Sequence, residues 1–175
     1  MEVTIRRART TDVRAIRRLI DTYSRNGILL DKPTVTLFES VQEFWVAERD
    51  EDGRVVACGA LHVMWEDLAE VRTLAVDQVC KGLGIGHQLL DKLLETARWL
   101  GVRRIFCLTF EVPFFSKHGF VEIGENDDRT ADPAAVATEV YEELLRSYDE
   151  GVAEFLDLER VKPNTLGNSR MLLHL

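Results

Sequence analysis

The sequence predicts an α/β (α+β) fold, one domain on a mixed sheet of about seven strands with helices flanking it. Three observations carry that expectation. Runs that alternate every second residue are interleaved with runs of helical period. The 175 residues, 46% of them apolar, suffice for one proper core. A strand pattern, "LAEVRTLAV", feeds a glycine-rich stretch that runs straight into a helix pattern.

The elements follow in order. "VTIRRA" alternates and reads as a first strand. In "TTDVRAIRRLIDTY", Val13, Ile16, Ile20 and Tyr23 share one helical face, with Thr10, Thr11 or Asp12 as the N-cap. A loop around "SRNGILLDKP" leads to a short helix near Leu37 to Val41. "EFWVAER" and "RVVACGALHVMW" are strands joined by "DEDG", a hairpin signal. After "LAEVRTLAV" and the glycines, Ile85, Leu89, Leu93, Ala97 and Leu100 form an i, i+4 row, a helix ending at Gly101. "RRIFCLT" is a strand, "PFFSKHG" a short helix and "FVEI" a strand. "GENDDRTADP" breaks the pattern, and Asp132 with Pro133 starts a helix running toward Tyr148. "SRMLLHL" is the last strand. No internal repeat and no second core appear, so residues 1–175 read as a single domain.

A net charge of −8 argues against nucleic-acid binding, which needs clustered Lys and Arg. Any polyanionic ligand must then be held by local features. Cys58, Cys80 and Cys107 are odd in number and lack metal-type spacing, so no metal site is expected. Cys58 and Cys107 lie in strand-like runs and read as buried, reduced thiols, for which a reducing cytoplasm is the natural compartment. There is no apolar run of membrane-spanning length and no signal peptide.

"CKGLGIGHQLL" places three glycines at every second position at the mouth of a helix. Strand, glycine loop and helix N-terminus together make an anion site: unused N–H groups point outward and glycines admit phosphate oxygens to the main chain. The alternative is a glycine turn that merely starts a helix. G-x-G-x-G after about the fourth strand does not match a dinucleotide fingerprint, and the Gly-Lys-Ser/Thr of a P-loop is absent.

"LAVDQVCKGLGIGHQLL" resembles the acetyl-CoA signature of the GNAT N-acetyltransferase superfamily, with Lys81 where that signature usually has Arg or Gln. The hairpin before it and "FFSKHGF" after it fit the same family. The resemblance implies a sheet splayed at an acetyl-CoA site. It implies that the amides of Lys81, Gly82, Leu83, Gly84, Ile85, Gly86 and His87 cradle the pyrophosphate, and that main chain at Leu74, Ala75 and Val76 holds the pantetheine arm as an added strand. Acetyl-CoA is then a co-substrate.

Acetylating an amine needs its neutral form, so a base is useful for an α-amine of pKa about 8. Glu70 stands where many GNAT enzymes carry a glutamate base, and strand alternation puts Glu70, Arg72, Leu74 and Val76 on one face. The plainer alternative is a Glu70–Arg72 ion pair on a solvated face. Many relatives protonate the leaving thiolate with a tyrosine; that slot here is Phe115, which leaves water, a hydroxyl such as Ser116, or unassisted departure.

"NGILLDK", "AEVRTLAV" and "GNSRMLLHL" resemble the acetyltransferase domain of N-acetylglutamate synthases. That implies an amino-acid N-acetyltransferase acting on glutamate, with glutamine open, at the first step of arginine biosynthesis, in a short stand-alone form. Two carboxylates call for converging cations and donors. Lys32 matches a basic position of the family; Arg72 and Arg170 are physical candidates; Asn168 and Ser169 match its Asn-Ser positions, and Thr109 closes a strand at the expected gap. Gly167 stands where some relatives have arginine, which keeps glutamine in play. The helical insertion from 132 to 158 could dress a homodimer surface or cap the substrate gap, with an ordinary packed helix preferred. Competing readings are a GNAT acting on another small amine and a non-catalytic CoA- or amino-acid-binding domain.

Overall fold

In the computed structural model, the described residues are 1–29, 31–123, 138–156 and 167–175. Seven strands form one mixed sheet in the order β1-β2-β3-β4-β5-β7-β6. They are β1 (Val3–Arg7), β2 (Phe44–Arg49), β3 (Val55–Val63), β4 (Leu68–Val76), β5 (Arg104–Thr109), β6 (Val121–Glu122) and β7 (Ser169–His174). The helices are α1 (Val13–Ser24), α2 (Thr34–Glu39), α3 (Ile85–Leu100), α4 (Val112–Ser116), α5 (Thr138–Leu144) and α6 (Glu150–Phe155). No described helix is long and apolar enough to cross a membrane.

The chain divides into two compact units that share β4. Residues 1–62 and 71–100 make the first. Antiparallel β1, β2 and β3 form its outer sheet, with the predicted β2–β3 hairpin turning at Gly53, φ +69°. The apolar face read from the α1 sequence is the face that is buried: Val13, Ile16, Ile20 and Tyr23 join Val46, Cys58, Ala60 and Ala75 in one cluster. A second cluster joins Ile85 and Leu89 of α3 to Ala47, Val56 and Ala57. Helix α3 stops at Gly101, φ +87°, the left-handed cap expected there. Gly59 of β3 has another purpose. A Cβ there would lie 2.9 Å from a methyl of Leu74 and 3.1 Å from one of Leu93, so its bareness lets β4 and α3 close on β3.

Residues 63–70 and 101–175 make the second unit. There β4 pairs in parallel with β5 through Leu68–Arg104, Ala69–Ile105 and Glu70–Phe106. Antiparallel β7 pairs with β5 and β6. Phe106 stacks on Phe155 of α6 at 4.2 Å, and Leu68, Leu144 and Val152 complete the cluster.

Three expectations need correction. The short helix begins at Thr34, and Val41 opens a separate 3₁₀ turn, because Ser40 ends the helix with φ −104° and ψ 11°. The described part of the helix expected to run toward Tyr148 is α5, which stops at Leu144, and a separate helix, α6, begins beyond Tyr148. The Asp149 carboxylate accepts from the N–H groups of Gly151 and Val152 (2.9 and 3.2 Å), which starts α6 afresh; Asp132 and Pro133 lie outside the described residues. Asp12 is the N-cap residue of α1, one of the three expected there, but its side chain makes no hydrogen bond to that helix. It accepts the Arg9 N–H at 2.7 Å and both arms of the Arg6 guanidinium at 2.7 and 3.0 Å.

The hydrogen bonds from Arg6 hold the Asp12 carboxyl below the ordinary carboxylate range. A lowered pKa adds stability that is complete above about pH 4 and is lost as pH falls through the folded-state value. Asp12→Ala should therefore cost about 1–3 kcal/mol at neutral pH, measured by urea denaturation. The gap from wild type should narrow on acidification, as Asp12 itself becomes protonated.

Candidate active site

In the first unit, β4 delivers the chain to the glycine loop at Val76. The Asp77 carboxylate accepts from Val79 N–H at 3.3 Å and starts the turn Gln78–Cys80. Gly82 and Gly84 then adopt φ +81° and +78°, where an L side chain is strained. Helix α3 begins at Ile85, and Gln88 N–H donates to the Gly84 carbonyl at 3.1 Å. Positions 85–87 are thus its first turn, whose amides the helical ladder does not use, and the helix dipole adds about half a positive charge. Lys81, Gly82 and Leu83 are exposed on the approach. This is the geometry of an anion cradle.

The side chains of Leu74 and Val76 pack against Val56, Ala57, Cys80 and Ile85, and Ala75 packs into the α1 cluster. What this stretch of β4 can offer a ligand is main chain. Tyr23 ties strand and loop together: its hydroxyl donates to the Val76 carbonyl, and the Lys81 ammonium lies 5.3 Å from its ring centre. The sequence marks Tyr23 only as a core-facing residue; a hydroxyl partner 53 positions away leaves no local signal.

The alternation assumed for β4 fails at Thr73, which sits at φ +57° in mid-strand. The Cys58 thiol donates to the Thr73 carbonyl at 3.6 Å. A left-handed residue there interrupts the regular strand backbone within the first unit. Arg72 is half-buried. Lys32 stands in the loop after α1, where its carbonyl accepts from Arg17; that guanidinium also holds Asp21 at 2.7 Å and Asp31 at 2.8 Å.

In the second unit, Glu70 is 5% exposed, which removes the solvated-face alternative. Its neighbours include Gly151 of α6 and, electrostatically, Cys107. Burial, and then the Glu70 charge, raises the Cys107 thiol well above the usual range; burial alone pushes Cys58 up to about 12. Both are free buried thiols, as expected, and so is Cys80. The β5–β7 register sets Thr109 opposite Ser169 and Leu108 opposite Arg170. Each polar candidate there meets a partner within the fold. Thr109 Oγ accepts from Glu111 N–H at 2.9 Å, Asn168 Nδ2 donates to Glu154 Oε1 at 3.1 Å, and the Ser169 hydroxyl donates to the Glu122 carboxylate. Gly167, at φ +94°, holds a conformation that an arginine would occupy only with strain. Phe115 is 6% exposed and packs edge-on against Phe114 and Phe120, with centroids 5.1 and 5.3 Å away. No group of three His, Cys, Asp or Glu among the described residues is arranged to hold a metal.

Comparison with known proteins agrees with this layout. Residues 40–122 match the acetyltransferase (GNAT) domain family. An amino-acid acetyltransferase of Mycobacterium tuberculosis is 59% identical over 170 residues, 97% of this chain and 92% of that protein. The crystal structure of Rv2747 from the same organism, in complex with CoA and NLQ, is 58% identical and superposes with a TM-score of 0.89 over 98% of this chain and 99% of that one. N-acetylglutamate synthase of Neisseria gonorrhoeae, complexed with coenzyme A and N-acetyl-glutamate, shares the fold at 23% identity (TM-score 0.74), with this chain spanning 35% of its length.

Tyr23→Phe removes the hydroxyl bond to Val76 while keeping the ring under Lys81. Thermal unfolding should register a loss of about 0.5–1.5 kcal/mol, the ordinary worth of one such bond.

Proposed function

The chain belongs to the GNAT acetyltransferase family, and from that premise we propose that it transfers acetyl from acetyl-CoA to the α-amine of L-glutamate or L-glutamine. All 175 residues then serve as one catalytic domain at the entry to arginine biosynthesis. The observation that carries the reading is the near full-length identity of 59% with an amino-acid acetyltransferase. The motifs around Lys32, Glu70 and Asn168–Ser169 support the choice of amino acid.

In this reading the amides of Lys81 to His87 take the pyrophosphate. Electrostatic repulsion from a chain of net charge −8 is offset there by dipoles that need no cationic patch. Main chain at Leu74 to Val76 extends the pantetheine arm as a strand. The α-ammonium group of a free amino acid is protonated at neutral pH, and Glu70 removes a proton directly or through one water. The neutral nitrogen attacks the thioester carbonyl, the C–S bond breaks, CoA leaves as its thiolate, and the nitrogen gives up its surplus proton to solvent to become the amide. Phe115 has no proton to give, so that thiolate collects its proton from solvent. Lys32 is the first candidate for a substrate carboxylate, with Arg72, Arg170, Thr109, Asn168 and Ser169 as further contacts.

Acetyl-CoA consumption across a panel of amino acids and polyamines tests the acceptor. Turnover confined to glutamate or glutamine is expected; preference for spermidine, or CoA binding without turnover, would refute it. Glu70→Gln should lower kcat by roughly 10²–10⁴-fold, most at low pH where the amine is most protonated, and leave acetyl-CoA affinity nearly intact. Gly84→Val forces a β-branched residue to φ +78° in a place where its Cβ meets nothing within 4 Å. It should weaken CoA binding, measured by calorimetry, at a cost in folding of only about 1–2 kcal/mol.

A further inference from the structure

Most glycines among the described residues serve the backbone: seven sit at positive φ. Gly151, the second residue of α6, does not. Its helical conformation suits any L residue, and alanine would favour the helix more. Space explains its presence. A Cβ built on Gly151 would stand 2.6 Å from Oε2 and 3.0 Å from Oε1 of Glu70, inside the contact distance that real side chains keep. The next atom, Asp149 Oδ1 at 3.1 Å, would need to give only slightly.

The geometry points to Gly151 as a positioning residue: its missing side chain makes the seat in which the Glu70 carboxylate rests against the start of α6. The inference depends on Glu70 acting as the base. The seat is built from both ends. Asp149 fixes where α6 begins by accepting from the Gly151 and Val152 N–H groups, and Phe155 anchors the helix by stacking on Phe106. Phe106 is the residue paired with Glu70 across the parallel ladder. Helix and carboxylate are thereby registered to the same point of β5, and an added methyl has one cheap escape, which is to swing the flexible end of Glu70 away. Displacement of a reacting group by about 1 Å can cost 10²-fold in rate.

The test is a double-mutant cycle in the full chain with G151A, E70Q and G151A/E70Q, reading kcat, the KM for acetyl-CoA and the melting temperature. G151A is expected to lower kcat roughly 10- to 100-fold, with the KM for acetyl-CoA unchanged and the melting temperature equal or higher. In the E70Q background the same substitution should change kcat less than twofold. If G151A turns over like wild type while E70Q is impaired, Gly151 has no such role and the base assignment survives. A G151A loss that multiplies in full onto E70Q overturns the inference too, since its effect then bypasses Glu70. E70Q at wild-type kcat overthrows the base and its seat together. Should G151A fail to fold, G151A/E70D, whose carboxylate is one methylene shorter, must recover folding; an equally unfolded double variant refutes the steric relation.

Discussion

The constraint on which this protein turns is one peptide unit in β4. Thr73 is β-branched and buried, yet adopts φ +57° in the middle of a strand, a conformation that costs about 1–3 kcal/mol and persists only when its surroundings over-determine it. Those surroundings are visible. The Cys58 thiol holds the Thr73 carbonyl, Ala75 is locked into the α1 cluster, and Leu74 is pressed onto bare Gly59. Burial at pH 7 keeps Cys58 protonated and able to donate, since its thiol is pushed up to about 12. A strained strand residue is thereby held in place by packing on β3 and on α1 within one unit.

Three glycines outside the turns do different physical work. Gly84 supplies a left-handed backbone that frees the first-turn amides of α3. Gly59 supplies room for packing between β3, β4 and α3. Gly151 supplies room for a charge. Only the first is a conformational role. The other two are defined by what stands opposite, and the same residue type therefore reads identically along the chain while meaning different things in space. Tyr23 illustrates the same point for a polar group: an aromatic on the core face of α1 also satisfies the last carbonyl of β4 and carries Lys81 on its ring.

Much of this architecture was legible before any coordinates. The α1 face of Val13, Ile16, Ile20 and Tyr23, the α3 row from Ile85 to Ala97 (its expected last member, Leu100, is exposed), the Gly101 stop, the β2–β3 hairpin and all seven strands follow from local periodicity and turn chemistry, which act within a few residues. The strand–glycine-loop–helix order from Leu74 to His87 was legible for the same reason: its three parts are contiguous in the chain.

What periodicity could not supply was anything set by residues distant in sequence. The left-handed Thr73 contradicts its own β-branched preference, and Cys58, Gly59 and the core around Ala75 surround it. The start of α6 at Glu150 depends on where Asp149 caps and Phe155 stacks. The burial of Glu70 and its seat at Gly151 arise from elements 81 residues apart, brought together by the β4–β5 ladder and the Phe106–Phe155 stack. Sequence alone determined the order of elements and the glycine loop at the start of α3, because neighbouring residues encode those. Tertiary structure alone decided which way the carboxylate faces and what leaves it room, because steric exclusion acts between atoms that the chain sequence never places side by side.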